Sequence, residues 1–251
     1  MLEYKLIRSK RRKTLALQVK HGQVTVRAPH YVTSAFIDTF IQEKSAWLRS
    51  KLAEQQKTPE YCNFSQGSNL LYLGEKVILN ICIAKKSEVY FSHLVIAEIE
   101  PKNYQEITTK QLNVAISEKI HSRLINPLAI SKQIKKQLEV YFKQQAEQLF
   151  SERLERISKQ ISLCPTAINI RQYRARWGSC NNRGEVSFNY LLMMTPLTVI
   201  DYVIVHELCH LEHLNHSKEF WHLVEKFCPN YEIAKKWLNT YQSQLQWQNP
   251  H

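Results

Sequence analysis

Four histidines and a glutamate crowd the stretch HELCHLEHLNHSKEFW, residues 206–221: His206, Glu207, His210, His213 and His216. His206 and His210 are four residues apart, so on a helix they share a face and aim at one point. Two imidazole nitrogens placed in this way suit a zinc ion. Glu207 lies beside the same face, where it can take a proton from a zinc-bound water. Such a site needs a third ligand. At about 1.5 Å rise per residue, His206 and His213 stand about 10.5 Å apart along a continuous helix, so three successive turns converge poorly on one tetrahedral ion. His216, six residues past His210, points away from a continuing helix. It swings back only if the chain turns at Asn215, a residue type that tolerates left-handed backbone. The spacing favours His216 and keeps His213, Glu219 and Glu225 as alternatives.

The elements that must position these groups are legible around them. Thr195 is a candidate N-cap and Pro196 a first helical residue for the apolar run PLTVIDYVIVHELCHLEHL, which Asn215 would end. Ser217 is placed to cap a second helix, KEFWHLVEKF, which stops at Pro229, and a third runs from about Tyr231 to Leu245. Ahead of the motif, INIRQYRARWGSC and EVSFNYLLM read as two strands joined by the turn NNRG.

Residues 1–30 alternate as strands do, with a turn at His21 and Gly22, and Thr33 or Ser34 caps a helix reaching about Glu54. A loop at 58–69 precedes strands that end at Pro101. From about Lys102 to Ile161 the chain turns rich in Lys, Gln, Glu, Leu and Ile. Pro127 breaks this stretch, and the half from Ser131 onward is a long amphipathic helix candidate. The expected organisation is an N-terminal β-rich lobe with one helix over residues 1–100, then a helical linker region and a catalytic domain over 101–251.

Composition narrows the classes. With 44% hydrophobic and 22% charged residues among 251, the chain is an ordinary globular one. No apolar run approaches the roughly 18–20 residues that span a bilayer, and the N-terminus does not read as a signal peptide, so the expected location is cytoplasmic and no membrane is expected as a partner. None of the six cysteines forms a C-x-x-C pair, which leaves a zinc ribbon or thioredoxin-type site unsupported. Only Asp38 and Asp201 are aspartates among 22 acids, which speaks against an Asp-rich magnesium site. The net charge of +12, densest in RSKRRK (Arg8 to Lys13), leaves nucleic acid open as a partner.

RWGSC (176–180), FNYLL (188–192) and VHELCHLEHLNHSKEFWHLVEK (205–226) together resemble the YgjP-like zinc metallopeptidase family, within the zincins. VRAP at 26–29 and YLG at 72–74 extend the resemblance over most of the chain. The resemblance implies an α+β fold: a zincin-like catalytic domain with an H-E-x-x-H helix, a short antiparallel sheet and C-terminal helices, joined to the β-rich lobe. It implies one Zn2+ per chain on His206, His210 and His216, with Glu207 as catalytic base, and a peptide or protein as substrate. The stretch 101–130 is longer than the family's usual pattern. In zincins a strand before the metal-binding helix often pairs with extended substrate. Trp177, Gly178 and Ser179 are therefore the candidate substrate-binding residues, with Gly178 allowing a backbone to approach closely. Tyr231, Arg174 and Arg176 have the chemistry to stabilise a tetrahedral intermediate. Two other readings stand beside peptide hydrolysis: a basic module associated with nucleic acid, including a DNA-linked protease, and a zinc protein without turnover.

Overall fold

The computed structural model describes residues 3–20, 23–56, 62–100, 103–173, 176–242, 244, 245 and 247; for 20, 53–56, 94–100 and 103–108 it describes the backbone alone. The turn expected at His21 and Gly22, part of the loop expected at 58–69, and Arg174 lie outside the described residues. The chain divides into two compact units, Met1–Pro59 and Glu60–His251.

In the first unit, β1 (Tyr4–Ser9), β2 (Ala16–Lys20) and β3 (Gln23–Pro29) form a sheet in the order β1-β3-β2. β3 runs parallel to β1 and antiparallel to β2. Its alternation buries Val24, Val26 and Ala28 on one face, against Ile37, Ile41 and Leu48 of two helices. The first, α1 (Ser34–Glu43), is capped by Thr33, whose side chain accepts from the Phe36 amide. The expected single helix is broken at Lys44, and α2 (Ser45–Gln56) follows.

The second unit carries the larger core. β4 (Asn69–Tyr72), β5 (Glu75–Ala84), β6 (Glu88–Glu100) and β7 (Asn103–Ser117) form a sheet in the order β4-β5-β7-β6. The stretch after Lys102, expected to be helical, is therefore a strand first. Leu112, Val114 and Ile116 place a large, fully buried apolar side chain at every second position, Asn113 and Ala115 between them are buried too, and this spacing outweighs the Lys/Gln/Glu composition. The expected boundary at residue 100 falls inside this sheet, because β5 and β6 both pair with β7.

After the short α3 (Glu118–His121), α4 (Pro127–Ile161) runs for 35 residues. Pro127 starts this helix. It stands at the first turn, where a missing N–H costs nothing, and Asn126 caps it by accepting from the Ala129 amide at 2.9 Å. Ile134, Leu138, Phe142, Ala146 and Phe150 recur every four residues and are fully buried, which makes α4 the spine of the core. Its C-terminus closes at Ser162 in the left-handed conformation, φ 61°.

A small sheet follows, of β8 (Ala167–Arg171), β9 (Gly178–Cys180) and β10 (Glu185–Asn189), in the order β8-β10-β9. It is mixed, not purely antiparallel as expected: β8 runs parallel to β10, and β9 antiparallel to it. Residues 190–194 then form a 3-10 turn, and α5 (Leu197–Cys209), α6 (Lys218–Phe227) and α7 (Tyr231–Tyr241) complete the unit. Thr195 is not the cap of α5: its hydroxyl donates to the Leu192 carbonyl at 2.8 Å, and the helix starts behind Pro196 without a side-chain cap. Gly74 supports that start. It sits at φ +84°, and a β-carbon there would meet Pro196 Cγ at 2.7 Å. Near the C-terminus Trp247 fills a slot among Phe64, Phe142 and Tyr190, with ring centroids 5.6, 4.8 and 6.1 Å away.

Among the described residues the fold is thus α and β mixed, with seven helices and three sheets. No helix there is long and apolar enough to cross a membrane.

Candidate active site

α5 is buried along most of its length, from Val199 and Ile200 to Leu208 and Cys209. It is fastened to α4 by Arg153, whose guanidinium meets both carboxylate oxygens of Asp201 at 2.5 and 2.6 Å. The helix ends at Cys209, earlier than the sequence reading placed it, and His210 is its C-cap. This early end shapes the site. The chain leaves the helix axis at His210, so the next residues are free to return, and Ser217 begins α6 by accepting from the Phe220 amide.

His216 comes back over the helix end, with its Nε2 3.0 Å from His206 Nε2. One ring nitrogen from each of His206, His210 and His216 lies within 4.8 Å of the others. Among the described residues this is the one such group of three or more His, Cys, Asp or Glu. Glu219 and Glu225 do not join it. Nor does His213, whose ring lines a separate groove with Lys218, Glu219 and His222. Its backbone has a different part: His210 Nδ1 stands 2.9 Å from the His213 carbonyl. A proton on Nδ1 makes that bond, which leaves Nε2 with its lone pair towards the cluster. From sequence His213 is an alternative ligand, and nothing there points to a role for its carbonyl.

The donor set fits a metal such as zinc. Burial, reinforced by the neighbouring His210 and His216 and by Lys235, pushes His206 down to about 3, so its ring is neutral. His216 is lowered too, first by desolvation. Neutral imidazoles whose nitrogens face one another need a shared cation or proton between them.

Aromatic rings hold the third histidine. His216 stacks on Trp221 at 5.6 Å and 25°, and Trp221 stacks on Tyr231 at 5.3 Å and 24°. The Lys235 ammonium sits 4.1 Å from the centre of the Trp221 ring. Tyr231, a candidate from sequence for stabilising a tetrahedral intermediate, stacks on Trp221 and Tyr202. Trp221 and Lys235 were not singled out from sequence. The aromatic at i+5 from His216 and the lysine four residues after Tyr231 were visible signals, but only the fold puts them together.

Glu207 is 6% exposed and faces the same cleft, of about 410 Å³, which Arg176, Gly178, Ser179, Cys180, Leu214 and the three histidines also line. Burial pushes its carboxyl up to about 8, and the Arg176 guanidinium pulls the other way. Gly178 matters for a reason the sequence reading did not give. The group its missing side chain admits is Glu207: a β-carbon on Gly178 would stand 2.5 Å from Oε1 and 2.6 Å from Cγ. Ser179 lines the cleft and its hydroxyl is 3.0 Å from that of Tyr173. Trp177 packs against the core and is not part of the cleft lining.

Asn189 fastens the cleft wall. It is 2% exposed, its amide donates to the carbonyls of Tyr173 (3.1 Å) and Arg176 (3.3 Å), and its oxygen accepts from the Leu191 amide at 3.2 Å. Its backbone N–H donates to the Trp177 carbonyl at 2.8 Å. β9 thereby hangs as a short edge strand at the cleft, paired on one side with β10.

The chain belongs to the YgjP-like family: the match, to the family described as YgjP-like, metallopeptidase domain, spans residues 13–241. Two solved structures are similar over a shorter length. The metallopeptidase zymogen abylysin of Pyrococcus abyssi is 20% identical, covers 37% of this chain and 95% of its own, and has a TM-score of 0.34. The metallopeptidase zymogen jannalysin of Methanocaldococcus jannaschii is 17% identical, covers 38% and 95%, and has a TM-score of 0.33. No curated protein matches. The family makes the chain a metallopeptidase, with peptides or proteins as substrates. It gives nucleic acid no support as a partner.

Proposed function

We propose that this metallopeptidase is zinc-dependent, with one ion held by His206, His210 and His216, and that Glu207 is its general base. The single observation that carries the reading is the convergence of three imidazoles beside a buried carboxylate in one cleft. When bound, zinc supplies a Lewis acid that polarises a carbonyl and makes a water more acidic.

The chain's own residues do the rest. Glu207 takes the proton of the attacking water on a carboxylate oxygen and returns it to the nitrogen of the departing amine. Its desolvated setting favours carrying that proton between the two events. Gly178 to Cys180 offer the free edge of β9 to an extended peptide, whose main chain hydrogen-bonds there without regard to sequence. Arg176, at the rim, brings positive charge to the oxygen of the tetrahedral intermediate. Tyr231 acts through Trp221 to steady His216.

The test is metal analysis together with a Glu207→Gln variant. The expected result is one zinc per chain in both proteins, with peptide hydrolysis lost only in the variant. Wild-type protein without stoichiometric zinc, or hydrolysis undiminished in Glu207→Gln, would falsify the proposal.

A further inference from the structure

The positive charge is not shared evenly between the two compact units. Residues 1–59 hold 12 Lys and Arg against 4 Asp and Glu, a net +8, while the remaining 192 residues hold 22 against 18, a net +4. Two thirds of the net charge therefore rests on less than a quarter of the chain.

The sheet of this small unit has two unlike faces. One packs on α1 and α2. The register puts Lys5, Ile7 and Ser9 of β1, Ala16 and Gln18 of β2, and Gln23, Thr25 and Arg27 of β3 on the other. No acid occurs among these eight positions. Lys5, Gln18, Gln23 and Arg27 are exposed. Where β1 ends, the connection to β2 adds Lys10, Arg11, Arg12 and Lys13, and Arg27 pairs with Ile7 and Ala16 at that same end. Tyr31 stands beside the turn: its hydroxyl donates to the Lys13 carbonyl at 3.3 Å and the residue is 76% exposed. Arg8 is occupied otherwise, donating to the Val32 carbonyl at 2.6 Å.

We infer that this face binds single-stranded nucleic acid. The cations match a string of phosphates, the glutamines and threonine supply neutral hydrogen-bonding groups between them, and Tyr31 offers a ring on which a base can stack. A membrane surface fits less well. It wants cations around an apolar patch, yet Ile7, 39% exposed, is the one large apolar side chain among these eight positions, and Phe36 and Trp47 belong to the helices that cover the opposite face of the sheet. The inference is independent of the zinc site.

The experiment measures fluorescence anisotropy of a labelled mixed-sequence 20-nucleotide strand with the full chain, across a salt series. Binding should weaken steeply with salt, by about 0.7 in log–log slope per phosphate contacted. The variant K10Q/R11Q/R12Q/K13Q should bind roughly tenfold or more weakly and show a shallower slope. Y31A should lose roughly fivefold or more with the slope unchanged, since stacking carries no counterion term. K132Q/K136Q/K236Q, which removes cations from the second unit, should bind as the wild type does. Melting curves check that all variants are folded. A salt-independent signal, a four-glutamine variant that binds as tightly as wild type, tighter binding to the corresponding duplex, or tighter binding to phosphatidylserine vesicles would each overturn the inference.

Discussion

Gly178 and Glu207 touch closely enough that neither can be changed without moving the other: a β-carbon on Gly178 would lie 2.5 Å from Glu207 Oε1 and 2.8 Å from Cδ. Glu207 is buried, and a methyl group on Gly178 would push its carboxyl from this place towards the cleft. Gly178→Ala should therefore leave zinc content and melting temperature near wild type while lowering kcat/KM by roughly a hundredfold, the scale on which a misplaced catalytic group acts. Steady-state hydrolysis beside metal analysis separates this from simple misfolding. Full activity in Gly178→Ala would refute the tight fit.

His216 leans on an aromatic ring where His210 has a carbonyl. Loss of the group that orients a metal-binding histidine typically costs about 10–100-fold in metal affinity. Trp221→Ala should weaken zinc by that factor in a chelator competition, and Trp221→Phe should keep most of the affinity because a flat ring remains. His222→Ala, on the same helix but lining the other groove, should change nothing. If Trp221→Ala binds zinc as tightly as wild type, the stacking has no positioning role.

Asn189 is buried behind the cleft wall and donates to the carbonyls of both Tyr173 and Arg176. An aspartate keeps the acceptor for the Leu191 amide but has no N–H to give the two carbonyls. Each buried group left unpaired costs about 1–3 kcal/mol. Asn189→Asp should lower the melting temperature and speed hydrogen exchange at Gly178 and Ser179. KM for a peptide should rise more than kcat falls, because the edge strand is loosened and Glu207 is not touched. Unaltered exchange in this strand would show that Asn189 does not fasten it.

The Arg153–Asp201 pair joins α5 to the spine of the core, with both carboxylate oxygens engaged. A hydrogen bond to a charged group contributes about 1.5–3 kcal/mol. Asp201→Asn should destabilise by that amount, read by urea unfolding, and leave the activity of the folded fraction intact. A loss of activity without loss of stability would mean that Asp201 acts on the site itself.

Which side chains come together in the cleft was more legible in the sequence than the architecture. His206, Glu207, His210 and His216 declare themselves by type and spacing, because a helix fixes where i and i+4 point and axial rise sets His213 apart. Contacts made by backbone and by distant rings do not show in spacing. The His213 carbonyl, Trp221 and Lys235 acquire their roles only once α6 and α7 fold across the end of α5. The strand at 103–117 was hidden by its lysines and glutamines, although Leu112, Val114 and Ile116 carried the alternation. Pro127 was read as a break because a proline marks a boundary without saying on which side the helix lies. Pairing direction in the small sheet, β8 parallel to β10, is likewise a matter of tertiary contact.

Trp247 has a consequence for how the molecule is made. Phe64, Phe142 and Tyr190 leave the ribosome long before it does, and together they line the slot that its ring fills. Until Trp247 follows them, the nascent chain holds an apolar gap between these three rings. The ring that completes this core comes 57 residues after the last of the three it packs on, so the unit can reach its native packing only once residue 247 has been made.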